Sequence, residues 1–194
     1  NFLREANKVH LLEKLKLPNV HIQFVRQPYA RGLGDAIALG ESFIKDEPFA
    51  VLLPDDVFLE SKPPLLQLIE LYEEVNTDVI GVQKVKKKLL KNYGVINNDR
   101  LSRSVHEVLD IIEKPQNTAP SKLAVIGRYI LEPSIFSSIK QTGQGIGGEV
   151  QLTDAIRDML KYKKCYGLKV EGKRFDIGSS EDYVKLLKVL SKLR

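Results

Sequence analysis

The chain has 194 residues, of which 43% are hydrophobic and 28% are charged, and this composition is typical of a folded globular protein rather than a disordered one. Its length suffices for one sizeable α/β domain with a buried core. The net charge of +5 suits an anionic small-molecule substrate. The lysine clusters lack the interleaved aromatic residues that are typical of a nucleic-acid groove, so we expect no nucleic-acid partner.

Strand and helix patterns alternate along the chain, which predicts a layered α/β fold in a single domain over residues 1–194. The helices follow from apolar residues at helical spacing, and the strands follow from alternating or short continuous apolar runs. The run at 49–53 is continuous, so we expect a strand that is buried on both faces. In chain order, the predicted elements are a helix before Pro18, a strand over 20–25, a helix over 33–44, the strand over 49–53, a helix over 64–75, strands over 78–85, 94–96, 105–112 and 123–131, helices over 133–140 and 152–162, a strand over 165–170 and a helix over 180–193.

The single cysteine, Cys165, excludes a disulfide within the chain and indicates a reducing compartment. No apolar run is long enough to span a membrane, and no signal-peptide pattern opens the chain. We therefore expect a cytoplasmic protein without a membrane partner. Because the chain starts at Asn1 rather than at a methionine, we also expect it to begin inside a longer protein.

The segment around Gln27 and Gly32 joins a predicted strand to a predicted helix. A glutamine amide can pair with both a donor and an acceptor, as on the edge of a pyrimidine, and glycine lets a flat ligand approach the backbone. The alternative is an ordinary strand–turn–helix connection in which glycine only relieves crowding.

Two aspartates follow strand-like segments at distant positions, Asp55 after the run at 49–53 and Asp176 near the C-terminus. Ligands of open α/β sheets bind beyond the carboxyl ends of the strands, and Mg²⁺ takes a few carboxylates together with phosphate oxygens. One aspartate from each place is able to share a metal ion. The alternative for Asp55 is an aspartate pair that caps the next element.

An acid and a cation stand side by side at Glu113 and Lys114, before a proline and a predicted strand. A carboxylate accepts hydrogen bonds from sugar hydroxyls, and an ammonium is a compact charge for phosphate oxygens. A solvated turn would use the same residues. Gly94 and Glu149 add a close backbone approach and a further acceptor that would suit a sugar ring.

Seven motifs then occur in order over nearly the whole chain: RQ-x(4)-GLG-x-A, LPDD, YGV, EKP, APS-x-LA-x-x-GRY, GGE-x-QLTDAI and GK-x-x-D-x-G. This order closely resembles that of the bacterial and archaeal UTP–glucose-1-phosphate uridylyltransferases, and the APS-x-LA and QLTDAI segments separate it from the thymidylyltransferases. The resemblance implies a Rossmann-like nucleotidyltransferase fold, in which helices flank a central mixed, mostly parallel sheet. It also implies transfer of a uridylyl group from UTP to glucose 1-phosphate with release of pyrophosphate.

The resemblance further implies a role for each matching residue. Mg²⁺ would be the cofactor, the protein would form a homodimer or homotetramer, and Lys114 and Asp55 would be the catalytic residues. The implied contacts are uracil with Gln27 and Gly32, glucose with Gly94, Glu113 and Glu149, the sugar phosphate with Lys114, and Mg²⁺ with Asp55 and Asp176.

Two residues and one segment depart from the family pattern. Asp35 stands where the family usually has histidine, and Lys122 where it usually has asparagine, and both are expected at the rim of the pocket. The family's glycine-rich triphosphate loop has no counterpart, so we expect that the N-terminal portion of the family domain is missing. The alternatives are a nucleotidyltransferase that uses dTTP or another sugar 1-phosphate, and an inactive module that only binds a sugar nucleotide.

Overall fold

The computed structural model describes residues 20–192, which form a six-stranded sheet, a two-stranded sheet and helices around them. Three short 3₁₀ helices lie at Glu41–Phe43, Lys87–Asn92 and Ile146–Gly148. The α-helices are α1 (Leu33–Ala38), α2 (Pro64–Val75), α3 (Ser134–Gln141), α4 (Leu152–Met159) and α5 (Ser180–Leu190). The strands are β1 (Phe49–Leu52), β2 (Asp56–Leu59), β3 (Val79–Lys84), β4 (Gly94–Arg100), β5 (Val105–Glu113), β6 (Leu123–Leu131), β7 (Tyr166–Lys169) and β8 (Lys173–Asp176).

The large sheet has the strand order β1-β6-β3-β7-β5-β4, with a further pairing between β4 and β6. Among residues 20–192, β3 and β7 form the one parallel pair, and the other pairings within this sheet are antiparallel. The sheet is therefore mixed, as predicted, but the expectation that it is mostly parallel is wrong for this part of the chain. Strand direction depends on which strands pair, and a hydrophobic pattern carries no information about the partner.

Helices cover both faces of the large sheet. On one face, α3 and α4 pack against residues such as Ile80, Ile96 and Ile111, which are almost completely buried. On the other face, α2 packs through Leu68 and Leu71. None of the helices within residues 20–192 has the length and apolar character that crossing a bilayer requires.

Local sequence explains the ends of α2. Pro64 occupies the first turn, where its missing N–H costs no hydrogen bond. The helix ends at Asn76, which adopts a left-handed conformation with φ of 49° and donates its backbone N–H to the carbonyl of Tyr72 at 2.7 Å. The predicted boundaries of this helix are confirmed, and so are those of β6.

Other predicted elements differ from the structure. Residues 20–25 form no strand, and Phe24 is 94% exposed. The helix predicted over 33–44 ends at Ala38 and is followed by a 3₁₀ turn. β1 pairs with β6 and its residues alternate between half-buried and exposed, so the expectation of burial on both faces is wrong. The helix predicted before Pro18 lies outside the described residues.

The pairing of two short strands, β2 and β8, was not predicted, although the sequence indicated a strand-like segment before Asp176. They pair in antiparallel register, with Asp56 opposite Asp176 and Val57 opposite Phe175. Each has only four residues and carries charged side chains, so neither shows the alternating pattern that identifies a strand. This ribbon brings the two distant aspartate segments together.

Candidate functional site

A cavity of about 310 Å³ lies where the β2–β8 ribbon meets the ends of β4 and β5. Five of the residues predicted to bind substrate or metal line it: Asp55, Gly94, Glu113, Lys114 and Asp176. They come from positions as far apart in the chain as 55 and 176, so the fold itself assembles this group. Both aspartates line this cavity, and β6 contributes apolar lining residues such as Val125 and Ile126.

The carboxylate oxygens of Asp55 and Asp176 both lie close to Gly178. A methyl group placed on Gly178 would lie 3.2 Å from Oδ1 of Asp176 and 3.7 Å from Oδ2 of Asp55. The backbone N–H of Ile177 also donates to the carbonyl of Asp55 at 2.8 Å, which ties the two segments together. Within residues 20–192 no three His, Cys, Asp or Glu side chains form a metal cage. Two carboxylates fit Mg²⁺, which commonly keeps water and phosphate oxygens as its other ligands.

The Asp176 carboxylate is held by two neighbours through its Oδ2 atom. The Tyr93 hydroxyl donates to this oxygen at 2.5 Å, and Nη2 of Arg174 lies 3.4 Å from it. Burial, together with this hydrogen bond, raises the pKa of Tyr93 to about 12. Both contacts are made through Oδ2, whereas Oδ1 lies beside Gly178.

The Arg174 side chain is largely buried and ties the two strands of the ribbon together, and its partner Asp56 joins the ribbon to the sheet. Nε of Arg174 donates to Oδ1 of Asp56, and the guanidinium lies 4.9 Å from the centre of the Tyr93 ring. The other carboxylate oxygen of Asp56 accepts from the backbone N–H of Gly127, in β6, at 2.6 Å. Burial alone would lower the pKa of Arg174, but the hydrogen bond and the charge of Asp56 raise it. Asp56 and Arg174 therefore form a largely buried ion pair, and the same guanidinium contacts the Asp176 carboxylate.

Glu113 and Lys114 form an adjacent pair at the end of β5. Oε1 of Glu113 lies 3.5 Å from Nζ of Lys114, and the Lys114 side chain is 40% exposed. The Lys114 backbone has φ of 44°, which is left-handed and costly for a residue with a side chain. Its backbone N–H donates to the carbonyl of Tyr93 at 3.0 Å, a contact that helps to hold this conformation. The ammonium thus has room to meet an anion in the cavity.

Gly94 allows α4 to approach Glu113. A Cβ on Gly94 would lie 2.7 Å from Cγ2 of Thr153 and 3.2 Å from Oε2 of Glu113. The hydroxyl of Thr153 donates to that same oxygen at 2.9 Å. Thr153 is not the N-cap of α4, because Gln151 occupies that position. Thr153 instead orients the carboxylate that was predicted to bind a sugar.

The other three predicted residues stand in a separate group of loops. The Gly32 carbonyl and the Asp35 carboxylate both accept from Nε2 of Gln27, at 3.2 and 2.6 Å. A Cβ on Gly32 would lie 2.9 Å from Cβ of Glu149, so these two residues touch. Glu149 does not line the cavity, but its Oε2 accepts from Nε2 of Gln151, which does, at 2.8 Å. The loop group therefore adjoins the cavity without being part of its wall.

The residues that hold the aspartates and Glu113 were not assigned a role from the sequence. Tyr93, Arg174 and Thr153 each stand inside a motif that was recognised, so the signal lay in their position next to the predicted residues. Lys122, expected at the pocket rim, instead lines a different groove of about 690 Å³. That groove has several lysines and no carboxylate, so it lacks the combination that the cavity offers.

The chain matches known proteins over nearly its whole length. The family model for nucleotidyl transferases matches residues 3–192. UTP–glucose-1-phosphate uridylyltransferase 2 of Staphylococcus saprophyticus subsp. saprophyticus is 45% identical over 186 residues, which are 94% of this chain and 64% of that protein. UTP–glucose-1-phosphate uridylyltransferase YngB of Bacillus subtilis (strain 168) is 44% identical over 181 residues, which are 91% of this chain and 60% of that protein.

Solved structures give the same result. A crystal structure of UDP-glucose pyrophosphorylase complexed with UDP-glucose superposes with a TM-score of 0.85 at 41% identity, covering 89% of this chain and 66% of that one. The chain thus spans slightly less than two thirds of the length of these three proteins.

Proposed function

Because the chain belongs to the nucleotidyl transferase family, in the group of the UTP–glucose-1-phosphate uridylyltransferases, we propose that its cavity transfers a uridylyl group from UTP to glucose 1-phosphate. The products would be UDP-glucose and pyrophosphate. The relatives carry this activity in their names, and one structural neighbour has UDP-glucose bound.

The observation that carries the proposal is the meeting of Asp55, Asp176 and Lys114 at one cavity. Two carboxylates and one ammonium are what a magnesium–phosphate substrate requires, since the carboxylates face the cation and the ammonium faces the phosphate oxygens. Had the aspartates pointed to opposite sides of the sheet, the cavity would have no place for such a substrate.

The chemistry needs no nucleophile from the protein. A phosphate oxygen of glucose 1-phosphate attacks the α-phosphorus of UTP, the new P–O bond forms, and the bond to the bridging oxygen breaks as pyrophosphate leaves. Lys114 would hold the attacking phosphate and offset its charge, and Asp55 and Asp176 would hold Mg²⁺. When bound, Mg²⁺ supplies positive charge to the phosphates. Catalysis on this view is positioning together with electrostatic stabilisation.

The remaining residues would select the substrates. Glu113, which Thr153 already orients, would accept hydrogen bonds from glucose hydroxyls, with Gly94 giving the sugar access to the backbone. Glu149 would add a further acceptor, and Gln27 and Gly32 would contact uracil. A cytoplasmic homodimer or homotetramer remains part of the proposal.

Release of pyrophosphate from UTP and glucose 1-phosphate with Mg²⁺ tests the function directly. We expect Lys114→Ala to lower kcat/KM by about 10²- to 10³-fold, because one electrostatic partner of the reacting phosphate is lost. Lys45→Ala, which removes an exposed lysine that does not line the cavity, is the matched control and should leave the rate unchanged.

Three results would contradict the proposal in different ways. Full activity of Lys114→Ala would remove the role given to this lysine. Faster turnover with dTTP or another sugar 1-phosphate in a substrate panel would favour a related transferase. Binding of UDP-glucose without turnover of any nucleotide would favour an inactive binding module.

A further inference from the structure

Gln27 is held more firmly than its surroundings suggest. It is half-buried although its neighbours in the chain are exposed. Its Nε2 atom carries two hydrogens, and it has two acceptors within reach, Oδ2 of Asp35 at 2.6 Å and the carbonyl of Gly32 at 3.2 Å. Both hydrogens of the amide are therefore used within the protein.

These partners fix which way the amide points. A carboxylate and a backbone carbonyl are acceptors only, so a flipped amide would place its own oxygen against Oδ2 of Asp35 and lose both hydrogen bonds. The charged partner makes the contact with Asp35 the stronger of the two. Gln27 therefore presents its Oε1 atom, an acceptor, to any ligand.

The loop that carries Asp35 is anchored independently of Gln27. The backbone N–H of Gly34 donates to the carbonyl of Val150 at 2.9 Å, and the N–H of Val150 donates to the carbonyl of Arg31 at 2.7 Å. Gly34 is buried, and a Cβ there would lie 2.9 Å from the Val150 carbonyl oxygen. Asp35 follows Gly34 directly in α1, so the backbone that carries its carboxylate is held in place without the help of Gln27.

We infer that Asp35 is a positioning residue for nucleobase selection: it locks the Gln27 amide so that its Oε1 atom accepts only a base whose ring nitrogen on the pairing edge carries a hydrogen. Uracil and thymine present a ring N–H there, whereas cytosine presents a bare ring nitrogen, which is an acceptor and would meet Oε1 of Gln27 acceptor to acceptor. The inference rests on the proposed function, because it assumes that Gln27 meets the base.

Substitution of Asp35 by asparagine tests the inference with little change in shape. In Asp35→Asn the new side-chain amide would offer both an acceptor and a donor to the Gln27 amide, so only the weaker contact with the Gly32 carbonyl would still favour the wild-type orientation. We expect the wild-type protein to bind UDP-glucose at least about tenfold more tightly than CDP-glucose, and Asp35→Asn to reduce this ratio by about tenfold. Calorimetric titration of both ligands into each variant measures the two ratios.

Controls separate this role from a structural one. Asp46→Asn makes the same chemical change at an exposed aspartate away from Gln27, and it should leave the ratio unchanged. An unchanged ratio in Asp35→Asn, or an equal loss of affinity for both ligands, would overturn the inference while leaving the proposed function intact. Failure of UDP-glucose to bind the wild-type protein would instead refute the proposed function, and the inference with it.

Discussion

The two groups of predicted residues are held in different ways. The cavity group is formed by Asp55, Asp176, Glu113 and Lys114, and its Asp176 and Glu113 carboxylates are held by the side chains of Tyr93, Arg174 and Thr153. The loop group, formed by Gln27, Gly32 and Glu149, rests on hydrogen bonds between loops at the surface. The Arg174 side chain, which lines the cavity, is 9% exposed, whereas the chain on either side of Gln27 is exposed.

We infer from this difference that the fold holds the cavity group rigidly and leaves the loop group adjustable. Charged groups that face phosphates are effective when they are oriented before the substrate arrives, because no reorganisation then remains for the reaction. A base and a sugar are recognised by hydrogen bonds that loops can provide. We therefore expect changes beneath the cavity to affect stability and catalysis together, and changes in the loop group to affect binding alone.

The largest expected effect follows from Arg174→Met. This change leaves the Asp56 carboxylate buried without its cation and removes one neighbour of Asp176. Breaking a buried ion pair in this way costs about 3–5 kcal/mol in the free energy of unfolding. Urea denaturation measures the loss, and Arg103→Met, at an exposed arginine, is the control. A loss below about 1 kcal/mol would show that the cavity does not depend on this pair.

The next effect concerns Asp176 itself. Asp176→Asn keeps the shape of the side chain but removes the charge of a proposed Mg²⁺ ligand, so kcat/KM should fall by about 10²- to 10³-fold. The Mg²⁺ concentration needed for half-maximal rate should rise as well. Pyrophosphate release at several Mg²⁺ concentrations measures both, with Asp99→Asn as the exposed control. A normal Mg²⁺ requirement would show that Asp176 is not a ligand.

How far the sequence predicts this molecule depends on how local each feature is. The bounds of α2 and β6 follow from patterns within a few residues, and both are confirmed. The β2–β8 ribbon depends on pairing of Asp56 with Asp176, which no local pattern contains. The antiparallel direction of most strands depends on the partner in the same way.

The candidate site likewise has features that the sequence predicts and features that depend on the three-dimensional fold. The order of the motifs predicted the family, which the comparisons confirm. The roles of Tyr93 and Arg174 lie in the direction of their side chains, which meet at the Asp176 carboxylate only in three dimensions. Motif spacing cannot give that direction, because it is set by the register of the ribbon.

An intermediate effect is expected from Gly94→Ala. The new methyl group would lie 2.7 Å from Thr153, so either β4 or α4 must shift. Overpacking of this kind costs about 1–3 kcal/mol in stability, and the displaced Thr153 would release Glu113. We expect KM for glucose 1-phosphate to rise more than kcat falls. Gly143→Ala is the control, because a Cβ there meets nothing within 4 Å. An unchanged KM for glucose 1-phosphate would show that sugar binding does not depend on Gly94.

A smaller effect with a defined pH dependence follows from Tyr93→Phe. The fold raises the pKa of this hydroxyl from 10.0 to about 12, so it favours the neutral form. The hydroxyl should stabilise the fold by about 1 kcal/mol below pH 10, and this contribution should disappear as the pH rises towards 12. Denaturation of both proteins between pH 8 and 11 measures the difference, with the exposed Tyr183→Phe as control. A stability difference between the wild-type protein and Tyr93→Phe that grows with pH would contradict a raised pKa of Tyr93.

The smallest effect on stability is expected where the loop group is changed. Gln27→Ala removes two hydrogen bonds from a half-buried side chain, and Asp35 can then be solvated, so the free energy of unfolding should change by no more than about 0.5 kcal/mol. The affinity for UDP-glucose should nevertheless fall by about tenfold, since the acceptor for the base is lost. Gln141→Ala, at an exposed glutamine that ends α3 and belongs to neither group, is the control for both measurements. A loss of stability as large as that of Arg174→Met would mean that the loops are as integral to the fold as the ribbon, and the distinction between the two groups would fail.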